Sequence, residues 1–143
     1  MYKITAFIFC VCIFIVSCST EPQPINFGKD MCEHCGMTIM DKKFGAEMVN
    51  SKGKAIKFDS GECMVSYLNS ENKFEAQQYL VVNYNSEGEL INAAEAFYLH
   101  GGNVISPMGD NLAAFKTKAD AEKSNEEFAA DLIMWNDVKK IEF

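Results

Sequence analysis

The sequence predicts an α+β fold in which two ββαβ-type half-domains form one small compact unit. Strand-like segments with alternating apolar residues occur in pairs, and each pair is followed by a segment with a helix-capping residue at its start. The same order of elements occurs twice between residues 28 and 143. That length suits a single small domain built from two interlocked halves.

The first unit covers residues 28–84. Strands are predicted over residues 37–41, 44–50, 54–58 and 79–84, and apolar side chains alternate within 44–50 and 54–58. Asp59 or Ser60 is expected to cap a helix over residues 61–69, because Glu62 lies at capping-box spacing from Asp59. Residues 70–78 form a polar linker before the last strand.

The second unit covers residues 85–143. Turn residues at 85–89 and 101–103 separate its elements, and strands are predicted over residues 96–100, 112–116 and 133–135. Thr117 is expected to cap a helix over residues 118–131. The similarity to the first unit lies only in the order of the elements, which is weak evidence for duplication.

Residues 1–17 have the composition of a bacterial lipoprotein signal peptide. Lys3 precedes an apolar run, residues 4–16, that is shorter than the roughly twenty residues of a membrane-spanning helix. The run ends at a lipobox, in which Cys18 becomes the acylated N-terminus. Residues 18–27 contain two prolines and are predicted to be a tether. The expected location is the cell envelope, with the protein anchored in a membrane and facing the periplasm or the exterior.

The charge distribution argues against nucleic acid as a partner. After removal of the signal peptide, twelve lysines and no arginine stand against twenty acidic residues, a formal charge of −8. No basic run or patch interrupts this excess. Phosphate backbones are bound by clustered positive charge, so no nucleic-acid function is expected.

Soft metal ligands are concentrated between Met31 and Met37. This stretch contains Cys32, His34 and Cys35, and Gly36 would allow a tight turn that brings Met37 towards the two thiols. Thiolate and thioether sulfur select Cu(I) over hard cations. Besides the lipidated Cys18, the mature chain has three cysteines, an odd number that does not suit a disulfide scaffold.

Two other segments carry candidate sulfur ligands. Cys63 lies in the first turn of the predicted helix after the hairpin, where the helix dipole would lower the thiol pKa. Met108 lies in a Ser-Pro-Met-Gly turn, where burial does not easily explain an apolar side chain. The methionines on strand-like stretches are expected to fill the core instead. They are Met40, Met48 and Met134.

Three other types of site have requirements that the surroundings of the Cys-x-x-Cys motif do not meet. A thioredoxin-like site needs a preceding strand and a following helix, covalent haem needs His at position 36, and a blue-copper site needs two accessible histidines. Structural zinc remains the alternative, with Cys32, Cys35, Cys63 and His100 as four ligands. No catalytic triad or phosphate-binding loop is present, so the protein is not expected to be an enzyme.

Four landmarks in order resemble the NosL family of copper-binding lipoproteins, which is linked to nitrous oxide reductase maturation. They are the lipobox at Cys18, the segment Cys32 to Met37, the segment Phe58 to Met64, and Ala96 to Tyr98 leading to the turn at Ser106–Gly109 and the strand at 112–115. Each landmark alone is modest, but their order and spacing cover nearly the whole mature chain.

The resemblance implies a copper chaperone. Its leading Cu(I) ligands would be Cys32, Cys35, Met37 and Met108, with Cys63 as an additional ligand. The implied partner is a copper-accepting enzyme or accessory protein of the nitrous oxide reductase system. The second half of the chain departs most from the family pattern, because its closing helix is rich in Lys and Glu and leads to Trp135.

Overall fold

Two antiparallel sheets and three helices make up the fold. The computed structural model describes residues 20–71 and 73–143, so the signal peptide and Cys18 lie outside the described residues. In chain order the elements are β1 (Ala46–Asn50), β2 (Ala55–Phe58), α1 (Gly61–Asn69), β3 (Ala76–Val82), β4 (Leu90–Asn92), β5 (Phe97–His100), β6 (Leu112–Phe115), α2 (Lys118–Phe128), β7 (Asp131–Met134) and α3 (Trp135–Val138).

The two sheets repeat one topology, which confirms the predicted α+β class. The first sheet has the order β2-β1-β3-β4 and the second has the order β6-β5-β7. In each, the first strand of a hairpin lies in the centre, and the strand after the helix pairs with its other edge. The predicted helix starts are also confirmed, since the side chains of Ser60 and Thr117 accept hydrogen bonds from the first turns of α1 and α2.

The sequence patterns did not predict the short elements β4 and α3, and they predicted one strand that is absent from the described residues. β4 and α3 are three and four residues long, too short to show a period. β4 pairs with β3 in the first sheet, although it lies beyond the expected boundary at residue 84. The strand predicted over 37–41 is wrong, because this segment forms only an isolated bridge between Thr38 and Met31.

One hydrophobic core joins the two sheets. Phe58 from the first sheet and Tyr98 from the second are fully buried in the same cluster, and the Trp135 ring stacks on Tyr98 with centroids 6.0 Å apart. A polar contact also crosses between the halves. Glu62 in α1 accepts a hydrogen bond from the backbone N–H of Leu112 in β6 at 3.1 Å. The start of α1 is therefore attached to both halves of the fold.

The segment expected to be a tether lies against the first sheet from Thr20 onward. The Thr20 carbonyl accepts a hydrogen bond from Gln78 Nε2 at 2.9 Å, and the Gln23 N–H donates to Glu47 Oε1 at 2.8 Å. Ile25 is buried in the core. Residues 20–27 therefore belong to the folded domain. Within the part of the chain that the structure describes, no helix has the length and apolarity needed to cross a bilayer.

Tyr98 provides a test of the shared core. Its hydroxyl is buried and donates to the Ala93 carbonyl at 2.7 Å, so Tyr98→Phe leaves that carbonyl without its partner. We expect the free energy of unfolding to fall by about 1–3 kcal/mol, measured by urea denaturation. Tyr84→Phe is the matched control, because the half-buried Tyr84 ring makes aromatic contacts that the substitution keeps. Equal effects of the two substitutions would contradict this account of the core.

Candidate metal centre

Three cysteine thiols converge at the start of α1. The Sγ atoms of Cys32, Cys35 and Cys63 all lie within 4.8 Å of one another, and no other group of this kind was found among the described His, Cys, Asp and Glu residues. Cys32 and Cys63 are buried, whereas Cys35 is partly exposed. All three are free thiols. The arrangement is a sulfur site with two ligands inside the fold and one at its surface.

The loop that carries Cys32 and Cys35 is held by its own backbone. The Cys32 N–H donates to the Met37 carbonyl at 2.8 Å, and the Gly36 N–H donates back to the Cys32 carbonyl at 2.9 Å. Gly36 has φ +73°, a left-handed conformation that other residues rarely adopt. The expected tight turn at Gly36 is therefore present, and it closes the loop around the two thiols.

The third thiol comes from the N-terminal turn of α1. Ser60 is the N-cap, and its hydroxyl accepts a hydrogen bond from the Cys63 N–H at 3.3 Å. The CxxC loop reaches this helix because the Glu33 N–H donates to the carbonyl of Lys57 in β2 at 2.8 Å. Since β2 leads directly into α1, this backbone contact brings the two sequence motifs together, with the ion pair between Lys57 and Asp30 at 2.6 Å beside it.

The thiolate of the site is Cys32 rather than Cys63. A hydrogen bond from the Cys63 thiol, assisted by backbone N–H groups, lowers the pKa of Cys32 to about 4 against the opposing effect of burial. The same hydrogen bond raises the pKa of Cys63, with burial adding to the shift. Burial also raises the pKa of Cys35. The sequence indicated a lowered pKa at Cys63 from the helix dipole, but donation to the neighbouring thiolate outweighs that effect.

Two carboxyl groups are buried around the start of α1, and one of them, that of Asp59, lies next to Cys32. Burial, followed by the negative charge of Cys32, raises the pKa of Asp59. Glu62 is almost fully buried, and its Oε2 atom accepts no hydrogen bond from the residues that the structure describes. The buried, ionised Cys32 thiol favours a cation in this pocket, because a positive charge would offset the cost of burying the thiolate.

The methionines divide into a buried and an exposed set. Met48 and Met64 are fully buried, and for Met48 this confirms the predicted assignment to the core. Met40 and Met134 were expected there too, but they are 66% and 41% exposed because neither side chain faces a packed layer. The exposed set also contains the two predicted ligands and the neighbour of Cys32. These are Met37, Met108 and Met31.

Met108 lies in the predicted turn and at the protein surface. The Gly109 N–H donates to the Ser106 carbonyl at 3.1 Å, and the buried Ser106 hydroxyl accepts from the Asn111 N–H at 2.9 Å. Ile105 from this loop shares an open groove with Met40. The Met40 N–H in turn donates to the Asp59 carboxylate beside Cys32. The Met108 loop thus neighbours the segment that borders the thiols.

Neither histidine is part of the thiol group. His34 is exposed within the loop, and the His100 ring lies edge-on to Phe143 with centroids 6.0 Å apart. His100 was the fourth ligand of the zinc alternative. Without it, the described His, Cys, Asp and Glu residues supply only three ligand atoms at the centre, one fewer than a closed structural zinc site needs.

A family model matches this combination of fold and cysteines. The NosL model covers residues 24–142, which include both sheets and all three thiols. The chain belongs to the NosL family.

Two characterised NosL proteins are similar to this chain. The copper-binding lipoprotein NosL of Stutzerimonas stutzeri is 31% identical over 109 residues, which are 70% of this chain and 57% of that protein. The chain therefore spans a little over half of that relative's length. The crystal structure of the copper chaperone NosL from Shewanella denitrificans superposes with a TM-score of 0.72 at 22% identity. It covers 85% of this chain and 98% of that one. This second similarity confirms the fold.

The pKa of Cys32 gives a test on the metal-free, reduced domain. At any pH between about 4 and the ordinary cysteine value of 9.0, one thiolate should be present per molecule, because Cys32 is ionised and the other two thiols are not. The ultraviolet absorbance of thiolate should show one step as the pH falls through about 4.

Cys32→Ser should abolish this acidic step. Cys35→Ser is the matched control and should keep it, because the proton that stabilises the Cys32 thiolate comes mainly from Cys63. A wild-type domain whose thiolate absorbance appears only near the ordinary cysteine pKa would contradict the assignment.

Proposed function

We propose that this NosL-family protein binds Cu(I) through Cys32, Cys35 and Cys63 and passes it to a partner protein. The observation that carries the proposal is the convergence of three free thiols within 4.8 Å, two of them buried. Thiolate sulfur is the preferred donor of monovalent copper. The copper-binding and copper-chaperone relatives support the same metal.

The hydrogen bond between Cys63 and Cys32 indicates how the ion would enter. A single proton lies between these two sulfur atoms and stabilises the negative charge on Cys32. Cu(I) carries the same unit charge, so it would replace this proton and be shared by the two sulfurs. Because metal-bound cysteines are deprotonated, binding at this pair releases a proton to water. Exchange at this pair alone leaves the net charge of the pocket unchanged, and coordination by the Cys35 thiol as well would release a second proton and add one negative charge.

We assign Met37 and Met108 as thioether ligands that complete or exchange with the thiol set. Both side chains lie at the surface, 48% and 37% exposed, where a packing role does not account for them. Thioether is a soft but neutral donor, so it binds Cu(I) more weakly than thiolate does. A neutral ligand at the exposed side of the ion can leave first, which opens a position for the acceptor.

Transfer would proceed by ligand replacement at the exposed side of the site. Cys35 is the partly exposed thiol, whereas Cys32 and Cys63 hold the ion from inside. An acceptor sulfur or imidazole can displace Met37 or Cys35 before the buried pair releases the ion. Such stepwise exchange keeps copper bound throughout. This is the behaviour of a chaperone rather than of an enzyme.

The acceptor that we propose is the nitrous oxide reductase system, in the envelope compartment. The NosL family membership supports this partner, and the lipobox at Cys18 supports a lipid anchor that confines the search to the membrane surface. The mature charge of −8 would favour an acceptor with a positive docking surface.

Copper affinity tests the ligand assignment. The reduced domain is titrated anaerobically with Cu(I) against a chromophoric chelator. We expect Cys32→Ser to weaken binding by more than the roughly 10–100-fold that is typical when a group that only supports a ligand is lost. Met108→Leu should cause a smaller loss, since it removes a neutral donor at the surface.

Met134→Leu is the matched control for Met108→Leu. Met134 has a similar exposure of 41% but lies on β7, away from the metal-binding loops, so its removal should leave the affinity unchanged. Unchanged affinity in both Cys32→Ser and Met108→Leu would remove the ligand assignment.

Metal removal separates a chaperone from a structural zinc protein. We expect the domain to keep its circular dichroism spectrum and its cooperative unfolding after treatment with a chelator, because one hydrophobic core joins both sheets without the metal. A structural zinc domain would instead unfold when the metal is withdrawn. Loss of the native spectrum on chelation, restored by zinc and not by Cu(I), would favour the zinc alternative.

A further inference from the structure

The path of residues 20–25 limits where a lipid at Cys18 can lie. Thr20 is held by Gln78, Gln23 is held by Glu47, and the Pro24 carbonyl accepts a hydrogen bond from Lys57 Nζ at 2.9 Å. The Gln23 side chain also donates to the Gly53 carbonyl at 3.3 Å. The chain is therefore fastened to the first sheet from its first described residue.

Only a short stretch of chain separates the hydrogen-bonded Thr20 from the lipidation site at Cys18. Two peptide steps separate Cys18 from Thr20. A fully extended chain covers at most about 3.6 Å per residue, so the Cys18 Cα lies within about 7 Å of the Thr20 Cα. This distance is too short to lift the domain clear of a bilayer. The surface around Thr20 must then adjoin the membrane.

That surface is one end of the first sheet. β1 and β3 pair Val49 with Gln78 and Asn50 with Ala76, and the β1–β2 turn follows directly. We call this surface the anchor end, defined as residues 20–23, 51–54, 71 and 73–76. It contains Lys52, Lys54 and Lys73 and equally many glutamates. The whole excess negative charge of the mature chain therefore lies elsewhere.

The thiol centre lies at the opposite end of the same sheet. β2 runs away from the anchor end to Phe58, which pairs with Ala46, and α1 with Cys63 begins just beyond it. Four strand residues span about 13 Å. The nine residues of α1 return over a similar distance, about 13 Å, towards residue 71. Both paths place the thiols roughly one sheet length from Thr20.

We propose that the anchor end docks on the bilayer that holds the Cys18 lipid and that the thiol centre faces the aqueous compartment. The proposal rests on the lipidation included in the proposed function. The charge distribution supports this orientation, because the anchor end is neutral, whereas anionic headgroups repel the rest of the mature chain, which carries all of its excess negative charge. A copper acceptor then reaches the thiols from the water side, without passing between the domain and the membrane.

Lysine labelling of the intact lipoprotein tests this orientation without altering the site. Full-length lipidated protein is reconstituted in vesicles of phosphatidylethanolamine and phosphatidylglycerol and treated with a water-soluble amine-reactive ester. Mass spectrometry then compares each lysine with the same lysine in a soluble domain that begins at Thr20. We expect labelling of Lys52, Lys54 and Lys73 to be lost in the vesicles. Lys42, exposed on the turn before β1 at the thiol end, should be labelled equally in both forms.

A spacer variant is the matched control. About twelve Gly and Ser residues inserted between Ser19 and Thr20 add a flexible link of about 20 Å. Recovery of labelling in this variant shows that the short connection holds the anchor end down. Persistent loss shows that the surface binds the bilayer by itself, and it supports the same docking face.

Equal labelling of Lys52, Lys54 and Lys73 in vesicles and in solution would overturn the proposal, as would loss of labelling at Lys42. An N-terminal peptide mass without acyl chains on Cys18 would overturn it as well. Failure here is distinguishable from failure of the copper proposal, because the Cu(I) titration uses the soluble domain and does not depend on the anchor.

Discussion

The backbone contact between the CxxC loop and strand β2 is the constraint on which the metal centre depends. The Glu33 N–H donates to the Lys57 carbonyl at 2.8 Å, and it holds the loop beside the strand that leads into α1. Cys32 can then receive the hydrogen bond from Cys63, although the two residues are 31 positions apart in the sequence. Side-chain ligands placed by backbone hydrogen bonds lose little conformational freedom when an ion binds, so the site is preorganised.

The same region connects the two half-domains. Glu62 precedes Cys63 in α1 and accepts a hydrogen bond from Leu112 of the second sheet. Asp59 buries a carboxyl group beside the ionised Cys32 thiol, an arrangement that opposes folding of the metal-free protein. The hydrophobic core that spans both sheets offsets this cost. Packing of the hydrophobic core thus keeps the cation-attracting pocket folded in the absence of metal.

Exposed methionines distinguish the surface around the site from an ordinary protein surface. Met31, Met37 and Met40 all lie within a few residues of the thiols and are more exposed than Met108. A flexible, polarisable side chain adapts to different partners and also binds soft metals. The exposed thioether groups around the site would therefore suit both a docking partner and the soft ion that we propose is transferred.

The fold class, the start of each long helix and the cysteines of the site could all be predicted from the amino-acid sequence. Local rules decide these features: alternation of apolar residues, capping side chains at Ser60 and Thr117, and the spacing of Cys32 and Cys35. Two features of the site required the three-dimensional structure: which thiol is ionised, and that His100 is not part of the thiol group. The exposure of Met40 and the inclusion of residues 20–27 in the domain required it as well. Each of these depends on neighbours far away in the chain. A pKa or an exposed area reflects the groups that surround a side chain in space, and these are set by how the two sheets pack.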